Sequence, residues 1–214
     1  IHRFDVSYYE KIASLGYDHS GTYVYQSPEV TGMWNGMAVW AFFPVVPICV
    51  KILNLLTFGL IDNFVLAIML STCCMGVMVY FITRFLRLKN VEVNYFLIAI
   101  LFVFNTYLVL YFNFYTEAMF MMLIAIFLNM CENKKFLFAG LTLALLTATR
   151  VTGVFFVFYL FYKIYQQIEI EGSPKNKFVI FCKKVFSIIK TPYYFASLIV
   201  SFLGLAAFII VLRC

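Results

Sequence analysis

The sequence predicts an all-α, polytopic membrane protein, and three observations carry that prediction. Of 214 residues, 64% are hydrophobic, 20% aromatic and only 12% charged, whereas soluble domains average near half apolar and a quarter charged. So apolar a chain cannot cover itself with polar surface, and lipid must be its solvent over much of its length. Long runs without a single charge recur along it, and the basic residues gather in the segments between those runs. A soluble globular domain is thereby excluded.

The chain opens on Ile1 and closes at Arg213 and Cys214 beside an apolar segment, as expected of a fragment of a longer membrane protein. Residues 1–62 form a first region, expected as a lumenal or interfacial segment, with Asp5, Glu10, Asp18 and Glu29 ahead of any clear span. Ser7 and Glu10 have capping-box spacing ahead of YYEKIASL, and Gly16 is a natural stop, so a short helix from about Tyr8 to Leu15 is expected. Its stripe of Tyr9, Ile12 and Ala13 is expected to lie on a membrane surface. Residues 39–61 are apolar but contain Pro44, Pro47 and Lys51, which fits either a tilted span or an interfacial helix. In the second case Asp5 and residues 113–117 share a side of the membrane; in the first they are separated.

Residues 63–214 read as the transmembrane bundle. Residues 63–82 carry no charge, and a helix of that length rises about 30 Å, one hydrocarbon core. Residues 95–112 and 114–131, separated only by the polar patch NFYTE, form a tight helical hairpin, and 193–212 make another uncharged span. Residues 136–165 are too long for one simple span and hold Arg150 and Gly153 in the middle. Helix from the preceding loop climbs about 21 Å before Arg150, roughly two thirds of a hydrocarbon core, and the remainder returns to Lys163. A broken, re-entrant pair of short helices is therefore expected, its irregular backbone shielded by protein or lining a cavity.

Charge sets the orientation. Arg84, Arg87 and Lys89 lie in one loop, Lys134 and Lys135 in the next but one, and a long basic stretch runs from Lys163 to Lys190; these segments are expected on the cytoplasmic side and residues 113–117 on the other. The formal net charge of +6 follows from this bias. Its basic residues form no single face, which argues against nucleic acid as a partner. The six cysteines show no CxxC pairing and no His at metal-ligand spacing, so no metal site is expected. Walker, GxGxxG, HExxH and GxSxG motifs are absent from the sequence. Glu169 and Glu171, in the basic stretch, read as solvated charge.

Against that background three charged residues stand out. Asp5, in HRFDVSYY, is either a solvated or capping carboxylate or a general base held at the membrane surface. Glu117, in NFYTEAMF, opens a helix where the macrodipole favours a carboxylate, and near the apolar zone it is also a candidate site residue. Arg150, in TATRVTG, costs about 2.5 to 3.5 kcal/mol at mid-membrane. It either snorkels or caps the end of the first short helix, or it holds a lipid phosphate in its fork of donors.

Taken in order, RFDVSYYEKIASLGY (3–17), WAFFPVVP (40–47), NFYTEAMF (113–120), TATRVTG (147–153) and a last span ending FIIVLRC resemble the second mannosyltransferase family of glycosylphosphatidylinositol (GPI) anchor biosynthesis. The resemblance touches most of the chain; AFFPxxP and the IAxxGY segment are its specific parts, and Phe4 stands where the family has Trp. It implies a GT-C-type helical bundle in the endoplasmic reticulum membrane, multi-pass, with a lumenal active site. It further implies transfer of the second mannose, through an α1,6 linkage, from dolichyl-phosphate-mannose to the GPI precursor glycolipid. That donor takes the place of a nucleotide sugar, and no cofactor or metal is implied. Asp5 is the implied catalytic base, with Glu117, Arg150 and Arg3 binding substrate and inversion at the anomeric carbon. Its partners are membrane lipids and the two glycolipids, with room for a small accessory membrane subunit. Two other classes fit parts of the pattern: another GT-C enzyme using a polyprenyl-phosphate sugar, and a polytopic transporter or scramblase binding an anionic lipid-linked substrate at the broken helix.

Overall fold

The computed structural model describes residues 6–16, 43–103, 114–169 and 177–213. Among them every regular element is a helix, so the all-α expectation holds. In chain order these are α1 (Val6–Leu15), α2 (Val45–Leu56), α3 (Asn63–Leu88), α4 (Tyr95–Val103), α5 (Glu117–Glu132), α6 (Phe136–Thr149), a 3-10 turn (Val151–Phe155), α7 (Phe156–Gln167), α8 (Lys177–Lys190), α9 (Pro192–Val200) and α10 (Leu203–Arg213). Arg3 and Asp5, with most of the linker to Phe43 and residues 104–113, lie outside the described residues.

Helix α1 begins at Val6, earlier than its capping-box spacing suggests, which puts Ser7 inside the first turn. It ends as expected at Gly16, whose φ of 85° is the left-handed C-terminal conformation that glycine tolerates. The stripe of Tyr9, Ile12 and Ala13 does not lie on a membrane surface. It is buried with Val6 in the protein core, against α2 and α3. An amphipathic stripe needs an apolar partner, and here other helices supply it.

Helix α2 has 12 residues and rises about 18 Å, so residues 39–61 contain no described helix long enough to cross a bilayer. Pro47 is tolerated because it falls in the first turn, where a missing N–H leaves no helical bond unmade. The turn after α2 passes through Phe58 and Gly59 at positive φ. Asp62 then caps α3, accepting a hydrogen bond from the Phe64 N–H at 2.8 Å.

Helix α3, 26 residues long, continues beyond the expected end at Ile82. Arg84 and Arg87, expected in a loop, ride on its last turns, where cations suit the carbonyl end of the dipole. Helix α5 packs alongside α3 with their carboxyl-terminal ends together. Buried Asn129 joins them, its Nδ2 donating to the Phe81 carbonyl at 2.6 Å and to the Ala125 carbonyl at 2.8 Å. Helix α6 turns back along α5 after the Asn133–Lys135 corner, where Lys134 has φ 59°. Beyond the 3-10 turn, α7 descends beside α5, with Phe127 set edge-on to Phe156 and Tyr159.

The last expected span is two helices, α9 and α10, joined at Ser201 and Phe202. The Ser201 hydroxyl donates to the Leu198 carbonyl at 2.6 Å, the kind of back-bond that bends a helix. This pair lies on α6 at close range: a Cβ at Gly140 would run into the Ser197 carbonyl, and one at Gly204 into that of Ala144. Small residues that let backbones meet are the usual device for packing helices without a hydrophobic driving force.

Two helical stretches, Asn63–Leu88 and Pro192–Ile210, are long and apolar enough to cross a membrane, and only 33% and 22% of their most apolar windows are buried. Large apolar side chains also face outward from α6, the 3-10 turn and α7, among them Phe138, Leu141, Leu145, Phe155 and Phe158. Exposed apolar surface on that scale calls for a partner other than water.

Candidate functional site

The bundle has two charged ends, joined by α5, α6 and α7. At the first end α5 begins. Thr116, its N-cap, is buried and makes no side-chain capping bond. Glu117 stands on the first turn, where the helix dipole favours a carboxylate.

Helix α6 reaches the same end from the opposite direction and stops at Arg150. That residue is fully extended (φ −154°, ψ 139°); its N–H still donates to the Leu146 carbonyl at 3.1 Å, and its carbonyl accepts from the Gly153 N–H at 2.9 Å. The turn folds back tightly on the helix it leaves. A Cβ at Gly153 would stand 2.7 Å from Leu146 Cδ2 and 2.8 Å from the Leu146 carbonyl oxygen, so only glycine fits there. This is the local reason for glycine three residues after the arginine: it lets the chain reverse with Arg150 at the tip.

The Arg150 guanidinium crosses to α5. Its Nη1 donates to Glu117 Oε1 at 2.9 Å, and its carbon lies 5.8 Å from the centre of the Phe120 ring, one helical turn on. The two members are unequally covered: the Arg150 side chain is 43% exposed, that of Glu117 21%. Among the described residues, Glu117 Oε2 is buried with no hydrogen-bond partner. An orphaned carboxylate oxygen beside a guanidinium with donors to spare can accept a ligand hydroxyl while the arginine takes an anion.

Two further contacts locate sequence motifs at this end. Tyr9 of α1 stacks on buried Phe114, ring centres 6.0 Å apart, so the helix that follows Asp5 in sequence docks three residues before Glu117. Phe43, from the AFFP motif, stacks on Phe208 of α10 at 4.1 Å. Asp5 and Arg3 themselves lie outside the described residues, as does Asn113. Of the four residues expected at the site, the structure brings Glu117 and Arg150 into contact.

The second end was not anticipated. Glu132, the last residue of α5, accepts from Lys163 of α7 at 2.6 Å and from Lys89, just past α3, at 2.8 Å. The Tyr159 hydroxyl donates to it as well, at 3.1 Å. Burial alone would push this carboxyl up, but the hydrogen bonds from Lys163 and Lys89 and the Lys163 charge outweigh it and hold the carboxyl below its ordinary range. The hydrogen bond to Glu132 in turn holds the Lys89 ammonium above its usual value. Three helices from distant parts of the chain are thereby tied at one point.

Among the described residues, no three His, Cys, Asp or Glu side chains gather as metal ligands, and Glu169 is exposed. A pocket of about 500 Å³ lies away from the first end, lined by Arg87, Asn90, Val91, Glu92 and Val93. Its loop walls and lone arginine offer less to a substrate than the Glu117–Arg150 pair does. No protein-family model matches this chain, and no curated protein or solved structure does either.

Proposed function

We propose that this protein is a membrane glycosyltransferase of the GT-C kind, transferring mannose from dolichyl-phosphate-mannose to the GPI precursor, with its site at the Glu117–Arg150 end of the bundle. The observation that carries the proposal is the pair itself. A half-exposed guanidinium at a helix break lies against a carboxylate that keeps one buried, unpartnered oxygen.

Each part has a role in a single in-line displacement. Arginine has five donors in a rigid fork, and Glu117 takes one of the two on Nη1; the rest suit the oxygens of a lipid phosphate, whose charge grows as it leaves. Glu117 Oε2 accepts a sugar hydroxyl and orients the ring. Asp5, in the segment leading into α1, removes the proton of the acceptor hydroxyl. The acceptor oxygen forms its bond to C1 as the bond from C1 to the phosphate oxygen breaks, the electron pair leaving on dolichyl phosphate, and the anomeric centre inverts.

The arrangement suits a bilayer. Helix α5 carries no charge between Glu117 and Glu132 and rises about 24 Å, which separates the two charged ends by most of a hydrocarbon core. On this reading the Glu117 end is lumenal and the end bearing Lys89, Lys134, Lys135 and Lys163 cytoplasmic, in the endoplasmic reticulum membrane. Complementation of cells lacking the second GPI mannosyltransferase tests the proposal. Restored surface anchors and disappearance of the one-mannose intermediate are expected from the full-length protein; persistence of that intermediate, with the protein present in the membrane, would overturn it.

A further inference from the structure

Helix α8 has an outward face that the proposed activity does not use. Its rotation is fixed from within: Ile188 is buried, and Lys184 turns inward, its Nζ donating to the Tyr165 carbonyl at 3.2 Å and lying 4.7 Å over the Tyr165 ring. Cys182, Phe186 and Ile189, spaced four and three residues apart, then share one outer stripe. All three are exposed, Phe186 by 66% and Ile189 by 56%. Lys183 and Lys190, also exposed, border the stripe on one side.

A surface helix bathed in water turns polar residues outward. This one turns an apolar stripe edged by lysines outward, the pattern of a helix lying in the boundary between headgroups and acyl chains. Continuity argues the same way. Helix α8 ends at Lys190, Thr191 is extended, and Pro192 opens the Pro192–Ile210 candidate span, so the chain turns from α8 directly into a helix apt for the bilayer. The charge of α8 is complementary to anionic lipid, because the helix carries Lys177, Lys183, Lys184 and Lys190 and no acidic residue.

We infer that α8 is an interfacial anchor that seats Cys182, Phe186 and Ile189 in the acyl boundary and gathers anionic phospholipid headgroups at Lys183 and Lys190. The inference rests on Pro192–Ile210 crossing a bilayer and is independent of the glycosyl-transfer reading.

The test uses the full-length protein with Cys182 as its single cysteine, labelled with an environment-sensitive fluorophore. It is reconstituted into phosphatidylcholine vesicles with or without about 30 mol% phosphatidylserine, a strongly anionic leaflet. A matched protein labelled at Cys73, exposed on the α3 candidate span, reports insertion. Emission from the Cys182 label is expected to be blue-shifted, quenched by shallow nitroxide lipid and shielded from iodide. Nitroxide phosphatidylserine should quench it severalfold more than nitroxide phosphatidylcholine at equal mole fraction. In K183Q/K190Q, with Cys73 quenching retained, that preference should fall to near parity between the two lipids. Iodide access in both vesicle types would overturn the inference, placing α8 in water. So would shielding from iodide and nitroxide lipid alike, since a protein partner would then cover the stripe, and so would a preference unchanged in K183Q/K190Q.

Discussion

Arg150 Nη1 lies 2.9 Å from Glu117 Oε1 across 33 residues of sequence, so the point where one helix breaks is fixed to the point where another begins. The link depends on each local feature: the extended arginine, the glycine that lets the chain reverse, and the helix start that favours a carboxylate. It leaves both partners with capacity to spare, and the functional reading depends on that capacity.

Replacing Arg150 by Lys keeps the charge but removes the planar fork, so mannose transfer is expected to fall by about tenfold or more, the loss of one or two charge-assisted hydrogen bonds. Glu117→Gln should keep the fold and lower turnover similarly, because the amide accepts more weakly than a carboxylate. Transfer assays on microsomes normalised to protein level check both. Wild-type rates in either variant would remove that residue from the site.

Gly153→Ala forces a Cβ into the Leu146 backbone, 2.8 Å from its carbonyl oxygen. A loss of roughly 1–3 kcal/mol is expected for strain of this kind, together with displacement of Arg150. Thermal unfolding of the detergent-solubilised variant measures the first, and loss of activity beyond the loss of folded protein measures the second.

Acid should loosen the opposite end. Glu132 has a folded-state pKa below its ordinary value of 4.5, so its ion pairs add stability that is fully present above that value and is lost as pH falls through the folded one. Lys89, held above 10.5, contributes stability that is present below that value and lost only as pH rises through its folded pKa. Melting temperature should therefore drop on the acid side, and Glu132→Gln should flatten that limb; an unchanged acid limb in the variant would remove Glu132 as its source.

Asn129→Leu removes the hydrogen bond that ties α5 to Phe81 of α3. Interhelical bonds of this kind are worth about 0.6–1.7 kcal/mol in bilayers, and the added apolar side chain offsets part of that. A small fall in unfolding temperature with transfer activity retained is the expected result.

The helix stop at Gly16 and the arginine with its nearby glycine were legible because glycine's conformational freedom acts locally. The uncharged runs 63–82 and 193–212 likewise announced helices. What lay between elements was harder to read. The stripe of Tyr9, Ile12 and Ala13 has the same period whether it faces lipid or α2, and only the packed helices decide. Glu132 sits in CENKK, which reads as a loop acid among its own lysines, yet its partners Lys89 and Lys163 come from other helices. Helix α3 ran past Ile82 because arginines suit a helix end as well as a loop. Glu117 and Arg150 could each be singled out as costly in lipid, but no spacing rule announces a contact across 33 residues.

The central claim is that this protein transfers mannose from a lipid phosphate. Its most direct test is incubation of the full-length protein in membranes with radiolabelled dolichyl-phosphate-mannose and a one-mannose GPI precursor, beside Asp5→Asn with insertion verified. The account expects a two-mannose product from the wild type and its loss, by about a hundredfold or more, without the general base. Absence of product from correctly inserted wild-type protein, or near-normal transfer by Asp5→Asn, would contradict it.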